Sequence, residues 1–188
     1  FNDLNKGIGK FDFDEIEKDE RQEIFVALFA MIDRGCWDEA ARVNIDAIDL
    51  LVSMNQYHYK SFGKLDSTEQ REEFAKHMNS IIESLMTKIG QDNIQLKNHS
   101  YEALLKISNY PLTDYAVQID KVMVDSGTSD QRHLTAKLTL LQDLIVQHKV
   151  NDQMYDAGKI ADFSIKQLDR DEADVKALGY IVLLRQHE

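Results

Sequence analysis

Apolar residues recur every three or four positions along most of the chain, which is the spacing of an amphipathic α-helix. One such pattern occurs three times: an acidic residue, an aliphatic residue, a small residue and a leucine, each four positions after the last. Spacing of four places these side chains on one stripe of a helix. The three copies are Glu39, Val43, Ala47 and Leu51; Asp92, Leu96, Ser100 and Leu104; and Asp171, Val175, Gly179 and Leu183.

The chemistry of the stripe indicates how each helix is used. We expect the acidic residue in the first helical turn, where unpaired N–H groups favour negative charge. We expect the small residue to let a second helix come close. A weaker copy follows, in which Leu141 can also cover the apolar face; its stripe is Asp130, Leu134, Leu138 and Gln142.

The spacing of the copies predicts a repeat. The aliphatic anchors at 43, 96, 134 and 175 are separated by 53, 38 and 41 residues, and a period near ~40 is typical of HEAT-like helical hairpins. An apolar helix A precedes each of these helices B, over residues 20–34, 67–88, 112–124 and 152–168. We therefore predict an all-α fold, an α-solenoid of about four HEAT-like hairpins, with an irregular helical bundle as the alternative.

The predicted domain covers residues 20–188, and residues 1–19 are interpreted as a linker or the remnant of a preceding hairpin. The long first spacing is assigned to an extended loop over residues 55–68, around Gly63. Asp66 or Ser67 can cap the second helix A, with Gln70 three residues after Ser67. Pro111 suits the start of a helix A, where its missing N–H costs little.

Composition narrows the classes of function. One proline and eight glycines in 188 residues favour an all-α fold. The net charge of −11 argues against nucleic-acid binding, which needs a basic surface, and against an acidic membrane face. The longest apolar run, residues 24–32, falls far short of the ~20 residues that span a bilayer. A single cysteine, Cys36, excludes a disulfide framework or a thiolate metal site.

No catalytic or metal-binding constellation emerges from the sequence. None of the histidines forms an H-E-x-x-H pair, so we expect surface or partly buried histidines. No histidine partner for Cys36 can be identified, so it is interpreted as a core or loop cysteine. We predict no enzyme, no cofactor, no metal and no small-molecule substrate. The histidines are His58, His77, His99, His133, His148 and His187.

The turns that join helix A to helix B carry the candidate partner-binding residues. They read DRGCWDEA, KIGQDN, VDSGTSDQ and LDRDEA, and stacking would align them along one edge. An exposed tryptophan flanked by cations is the composition of a protein-binding hot spot; alternatively, Trp37 fills the gap between the first two hairpins. The predicted site is Arg34, Trp37, Lys88, Gln91 and Arg170, with Lys97, Arg132 and Lys176 in the following helical turns.

These turns and their flanking helices resemble TOG domains, short HEAT arrays that bind tubulin through one loop edge. The resemblance rests on IDAIDLLVSMNQYHYKSFGKLDSTE, IIESLMTKIGQDNIQLKNHSYEALLKIS and YDAGKIADFSIKQLDRDEADVKALGYIVLLRQ. The chain departs from the family in length, with about four hairpins rather than five or six. Its tryptophan, Trp37, lies in the first recognisable hairpin. One hairpin, FVALFAMIDRGCWDEAARVNIDAI, is also similar to a helical bundle shared by a steroid receptor RNA activator protein and a COPII coat subunit.

Two hypotheses about function follow. The TOG resemblance implies a non-catalytic domain that binds tubulin or a microtubule-associated protein, in the cytoplasmic cytoskeleton at a cilium tip, centrosome or basal body. The alternative is a helical scaffold that holds a peptide or another structural protein without tubulin contact. A solvent-exposed Trp37 would favour the first hypothesis, and a Trp37 buried between hairpins the second.

Overall fold

The computed structural model describes residues 1–62, 65, 67–109, 115–124, 130–149 and 156–186. All regular secondary structure in these residues is helical, which confirms the predicted all-α class. A 3-10 turn, Phe13–Glu15, separates the first two helices. The helices are α1 (Asn2–Ile8), α2 (Lys18–Cys36), α3 (Ala41–Phe62), α4 (Thr68–Lys88), α5 (Ile94–Ile107), α6 (Tyr115–Met123), α7 (Gln131–His148), α8 (Ala157–Leu168) and α9 (Ala173–Arg185).

The helices form two layers of a short solenoid. In one layer α2 packs against α4 and α4 against α6; in the other, α3, α5, α7 and α9 pack in sequence order, with α1 beside α3. The pairs α2 and α3, α4 and α5, α6 and α7, and α8 and α9 are the hairpins. This architecture confirms the predicted α-solenoid of about four HEAT-like hairpins.

The small residue of the repeated stripe does permit close helix packing. A Cβ atom added to Gly35 of α2 would lie only 2.7 Å from the Cβ of Ala47 on α3. In the last hairpin, a Cβ added to Gly179 of α9 would lie 3.0 Å from the carbonyl oxygen of Ser164 on α8. Larger side chains at these positions would separate the two helices of a hairpin.

The predicted place of the acidic residue was wrong. Glu39, Asp92 and Asp171 each lie two positions before the first residue of their helix, exposed in the turn. A neighbouring residue caps the helix in the second hairpin: Asn93 Oδ1 accepts from Leu96 N at 3.1 Å. In the weaker copy the acid itself caps the helix, where Asp130 Oδ1 accepts from His133 N at 2.8 Å.

The loop predicted over residues 55–68 is also corrected, because α3 continues to Phe62. Its last turns are held by His58, a buried residue whose Nε2 donates to the carbonyl oxygen of Ile8 at 2.7 Å. The predicted cap at the next helix is confirmed, since Ser67 Oγ accepts from Gln70 N at 3.4 Å. Gly63 and the alternative cap Asp66 lie outside the described residues.

Other predicted boundaries differ modestly from the observed ones. α2 begins two residues earlier than predicted and ends two residues later. The helix starts predicted at residues 112 and 152 lie outside the described residues, as does Pro111. Within the described residues, α6 begins at Tyr115 and α8 begins at Ala157.

The segment before α2 packs on the core. Phe13 is 2 % exposed and stacks on Phe25 with ring centroids 4.5 Å apart, and Ile8 is 5 % exposed. Whether residues 1–19 are a linker or part of a preceding hairpin stays a prediction. None of the described helices combines the length and apolar character needed to cross a bilayer.

Candidate protein-binding edge

The turns between the two helices of each hairpin lie next to one another in space. His133 at the start of α7 donates through Nε2 to the carbonyl oxygen of Met86 near the end of α4, at 2.8 Å. Arg132 forms an ion pair with Asp92, which joins the third turn to the second. Met123 at the end of α6 and Arg170 in the fourth turn line a common cleft. Lys88 Nζ joins the first turn to the second hairpin by donating to the carbonyl oxygen of Cys36. Together these contacts place the turns along one edge of the solenoid.

Trp37 terminates α2 at the start of the first turn and is 50 % exposed. Its indole Nε1 donates to Ser80 Oγ on α4 at 3.0 Å. The Nζ atom of Lys88 lies 5.5 Å from the centre of the ring, within the range of a cation–π contact. Trp37 is thus neither free nor enclosed: one part of the ring is fixed on α4 and the rest faces solvent.

Lys88 does not present a free positive charge at this edge. The residue is only 6 % exposed, and its Nζ donates to the carbonyl oxygen of Cys36 at 2.5 Å and to Ser84 Oγ at 2.6 Å. Ser84 Oγ in turn donates to the same Cys36 oxygen at 2.7 Å. The ammonium therefore lies at the C-terminal end of α2, where unpaired carbonyl groups favour positive charge.

Burial has opposite effects on the two ionisable groups beneath Trp37. It lowers the pKa of Lys88, since an ammonium loses hydration there. Burial is also the main cause that raises the pKa of the Cys36 thiol to about 12. The thiol is thereby kept neutral and poorly nucleophilic, as expected for a core cysteine.

A further polar contact secures the end of α2 against α4. His77 Nδ1 lies 2.9 Å from Asp33 Oδ2, and the two side chains are 18 % and 16 % exposed. His77, Ser80, Ser84 and Lys88 follow one another at helical spacing on α4. The result is a row of side chains from α4 that fixes the last turn of α2 and the base of Trp37.

The other predicted site residues occupy different environments. Arg34 and Gln91 are exposed, and Gln91 lines a polar cleft of about 500 Å³ between the second and third turns. Arg170 is half-buried in a cleft of about 460 Å³, beside Lys159 and Lys166 of α8. The five residues therefore lie along the edge, but they do not converge on one pocket.

Two apolar side chains at the edge were missed by the sequence analysis. Ile94, the first residue of α5, is 73 % exposed, and Val124, directly after α6, is 61 % exposed. With Trp37, each of the first three turns presents one exposed apolar side chain. Ile94 could have been noticed because it lies outside the buried stripe and follows the cap residue Asn93. Val124 is both the last residue of the helix predicted over 112–124 and the first residue of the turn VDSGTSDQ, but it is not among the predicted site residues.

The carbonyl group of Val124, directly after α6, also accepts a hydrogen bond from a buried lysine. Lys137 of α7 is 5 % exposed, and its Nζ donates to the carbonyl oxygen of Val124 at 3.0 Å. The first and third hairpins thus both neutralise the end of a helix with an inward-pointing ammonium. Lys88 lies beneath the ring of Trp37, whereas Lys137 binds the backbone of Val124.

Each described histidine has a polar partner close to its ring, and no described group of three His, Cys, Asp or Glu is arranged to hold a metal ion. His99 Nδ1 donates to the carbonyl oxygen of Gln95 at 2.8 Å. His148 Nε2 lies 2.7 Å from Ser108 Oγ, and burial lowers its pKa. His187 lies outside the described residues.

Comparison with known proteins supports the fold through structure and not through sequence. No protein-family model matches the chain, and no curated protein sequence matches it. Two solved structures do. The TOG domain of human Cep104 superimposes with a TM-score of 0.74 at 16 % identity, over 98 % of this chain and 69 % of that one. A second CEP104 TOG domain gives a TM-score of 0.73 at 13 % identity, over 98 % and 72 %. The chain therefore has the fold of a TOG domain, a helical solenoid of HEAT-like hairpins.

Proposed function

We propose that this chain is a non-catalytic domain that binds tubulin through the edge formed by its inter-helix turns. The contact residues would be Arg34, Trp37, Gln91 and Arg170, with Lys88 acting from beneath Trp37. The proposal includes a place in the cytoskeleton, at a cilium tip, centrosome or basal body. The observation that carries it is a half-exposed tryptophan, anchored on α4, at the first turn of an array with the TOG fold.

The exposed apolar residues support binding of a protein rather than of a small molecule. Trp37, Ile94 and Val124 are spread over three successive turns, whereas a ligand pocket would gather apolar groups in one concavity. Anchors that are held in place before binding lose less conformational freedom when a partner arrives. Ser80 and Lys88 provide that constraint for Trp37.

The distribution of charge indicates how such an edge could approach an acidic partner. The chain carries a net charge of −11, so attraction to tubulin, whose surface is acidic, must come from local cations. Arg34 is exposed at the first turn, and Lys176 is exposed in the first turns of α9. Arg132 contributes less, because it is paired with Asp92 and Asp130.

Size-exclusion chromatography of the chain with unassembled tubulin at low salt tests the proposal. We expect a complex that Trp37→Ala weakens by about tenfold or more, as for a central aromatic anchor, and that Arg34→Glu weakens through a slower association rate. Trp37→Ala should lower the free energy of unfolding by less than the ~3–5 kcal/mol expected for a fully buried tryptophan, because half of the side chain is already in solvent.

Tyr180→Ala is the matched control. Tyr180 is 58 % exposed, so the change also removes an exposed aromatic ring, but it lies on α9 two turns away from the edge. Binding should not change. Absence of a complex with the unmodified chain, or equal losses for Trp37→Ala and Tyr180→Ala, would contradict the proposal and favour the scaffold hypothesis.

A further inference from the structure

An apolar groove lies at the opposite end of the array from α9 and outside the turn edge. It has a volume of about 360 Å³ and runs between α1 and α2. Leu4 and Gly7 of α1 form one wall, Ile24 and Leu28 of α2 form the other, and Phe11 closes one side. Leu4 is 39 % exposed and Phe11 46 % exposed, so the apolar surface is open to solvent.

The shape of the groove matches a helix. Each wall is the side of a helix, with Leu4 and Gly7 three residues apart and Ile24 and Leu28 four apart, so that two ridges flank the groove. Gly7 widens it: a Cβ atom added at this position would have no heavy atom within 4 Å. A helix with an apolar stripe at positions i, i+3, i+4 and i+7 would bury these side chains as helices do in other grooves.

The charges near the groove indicate which residues should lie on either side of the apolar stripe of that helix. Residues 1–23 contain eight carboxylates and four cations, and one of the cations, Arg21, donates to Asp14 Oδ1 at 3.0 Å. Asp3 lines the groove itself, and Glu20 lies one helical turn before Ile24 on α2. A partner with Lys or Arg on both sides of its apolar stripe would complement this rim.

We propose that the groove between α1 and α2 binds an amphipathic helix with basic flanks, supplied by another protein. The site is separate from the turn edge, and it does not depend on tubulin binding. Its apolar walls provide the buried contact, and the acidic residues Asp3 and Glu20 favour basic residues on the partner.

Fluorescence anisotropy with labelled synthetic peptides tests this proposal on the unmodified chain. The probe is an amphipathic peptide of about 18 residues, or five helical turns, with Leu on the stripe and Lys on both flanks. One comparison peptide has the same composition with the stripe scrambled, and another carries Glu in place of Lys. We expect saturable binding of the first peptide, at least about tenfold weaker binding of the other two, and weaker binding as the salt concentration rises.

Substitutions then locate the binding site. Gly7→Phe should fill the groove and weaken binding by about tenfold or more, whereas Gly7→Ala, which adds a single methyl group in open space, should leave it unchanged. Leu4→Arg is a second disruptive variant. Because Leu4 is exposed, this variant does not depend on whether the protein can accommodate the phenylalanine ring of Gly7→Phe. Trp37→Ala should have no effect, which separates this site from the tubulin-binding proposal.

Several results would overturn the proposal. They are binding of the Lys-flanked peptide that neither Gly7→Phe nor Leu4→Arg reduces, equal binding of the Glu-flanked peptide, and no binding at all. Self-association of the chain that Gly7→Phe abolishes would also overturn it, because a second copy would then be the occupant of the groove.

Discussion

Trp37 and the preceding residue, Cys36, are held by three residues that occupy successive turns of α4. Ser80 accepts from the indole N–H, Ser84 donates to the carbonyl oxygen of Cys36, and Lys88 donates to both Ser84 and Cys36. Hydrogen bonds that immobilise an exposed ring leave less rotational freedom to lose when a partner binds. At this scale the edge is defined by what lies beneath the tryptophan as much as by the ring itself.

Ser80→Ala should loosen Trp37 without unfolding the chain. The change removes one partly exposed hydrogen bond, which is worth about 1 kcal/mol. Trp37 is the only tryptophan in the sequence, so its fluorescence reports directly on the ring. We expect stronger quenching by acrylamide and lower steady-state anisotropy, with Ser80→Thr, which keeps the hydroxyl, close to the unmodified protein. Identical quenching of all three would show that Ser80 does not restrain the ring.

Lys88→Met should change how stability depends on pH. Burial lowers the pKa of Lys88 below its ordinary value of 10.5, so the unfolded chain binds this proton more tightly than the folded chain. The free energy of unfolding therefore gains a contribution from Lys88 as the pH rises from the lowered pKa towards 10.5, and no further contribution above it. Lys88→Met should lack this rise.

Urea denaturation in steps between about pH 8 and pH 11 measures this difference. The pKa of the Cys36 thiol is raised from 9.0 to about 12 on folding, so above about pH 9 this thiol lowers the free energy of unfolding as the pH rises. Both proteins contain Cys36, so the difference between their two curves reports on Lys88. Curves of the two proteins that remain parallel over the whole interval would contradict the assignment of a buried ammonium to Lys88.

At the scale of elements, the small residues of the repeated stripe determine how closely the helices of a hairpin approach. Gly35 and Ala47 face each other between α2 and α3, and Gly179 faces the backbone of Ser164 between α8 and α9. Cores at native packing density accept an added methyl group only if neighbouring atoms shift. The hairpin geometry thus depends on the absence of side-chain atoms at a few positions.

Gly35→Ala should lower the free energy of unfolding by about 1–3 kcal/mol, because its new methyl group would overlap the Cβ of Ala47. Gly7→Ala is the matched control for Gly35→Ala, because it makes the same substitution in another helix of the chain. Its methyl group meets open space, so the better helix propensity of alanine should stabilise α1 by about 0.5–1 kcal/mol. Chemical denaturation of both variants gives the comparison, and a loss of stability of similar size in both would contradict the packing argument.

Much of this element structure could be predicted from the sequence, because helical periodicity is a local property. Leu96 and Leu104 repeat at the spacing that buries one face, and Ser67 precedes Gln70 as a capping pair should. The contacts of the site are not local. Lys88 reaches Cys36 across 52 positions and Trp37 reaches Ser80 across 43. Periodicity identifies the buried face of a helix, but it does not show which long polar side chain crosses to a neighbouring helix.

Contacts between distant residues also explain why the loop predicted over residues 55–68 was wrong and why α1 left no sign in the sequence. α1 has seven residues, too few for a helical period to become evident, and its packing depends on the distant His58. In α3, polar residues after Met54 were interpreted as a loop because nothing in the local sequence shows that α1 packs on them. Both observations concern the same pair of helices, α1 and α3.

At the scale of the whole molecule, the chain is a linear array in which helices contact mainly their neighbours. The stability of such arrays is close to a sum over hairpins and the interfaces between them. A change in one hairpin should therefore be felt locally, while the remainder of the array stays folded.

Gly179→Leu tests this locality, since its side chain must displace the backbone of α8 near Ser164. We expect amide hydrogen exchange in α8 and α9 to become faster by at least about tenfold, with exchange in α2 and α3 unchanged. The neighbouring change Tyr180→Ala, at a position 58 % exposed, should alter neither region. Faster exchange throughout the chain would instead show that the array unfolds as one unit.

The row of α4 side chains beneath Trp37 also has a mechanical consequence. A load applied to the indole passes through Ser80 and Lys88 into α4, and through the peptide backbone into α2, so two hairpins share it. Several hydrogen bonds arranged along one helix are strained together rather than in succession when the ring is pulled along the edge. A partner that pulls on Trp37 would therefore have to displace the first two hairpins together before it could separate the first hairpin from the second.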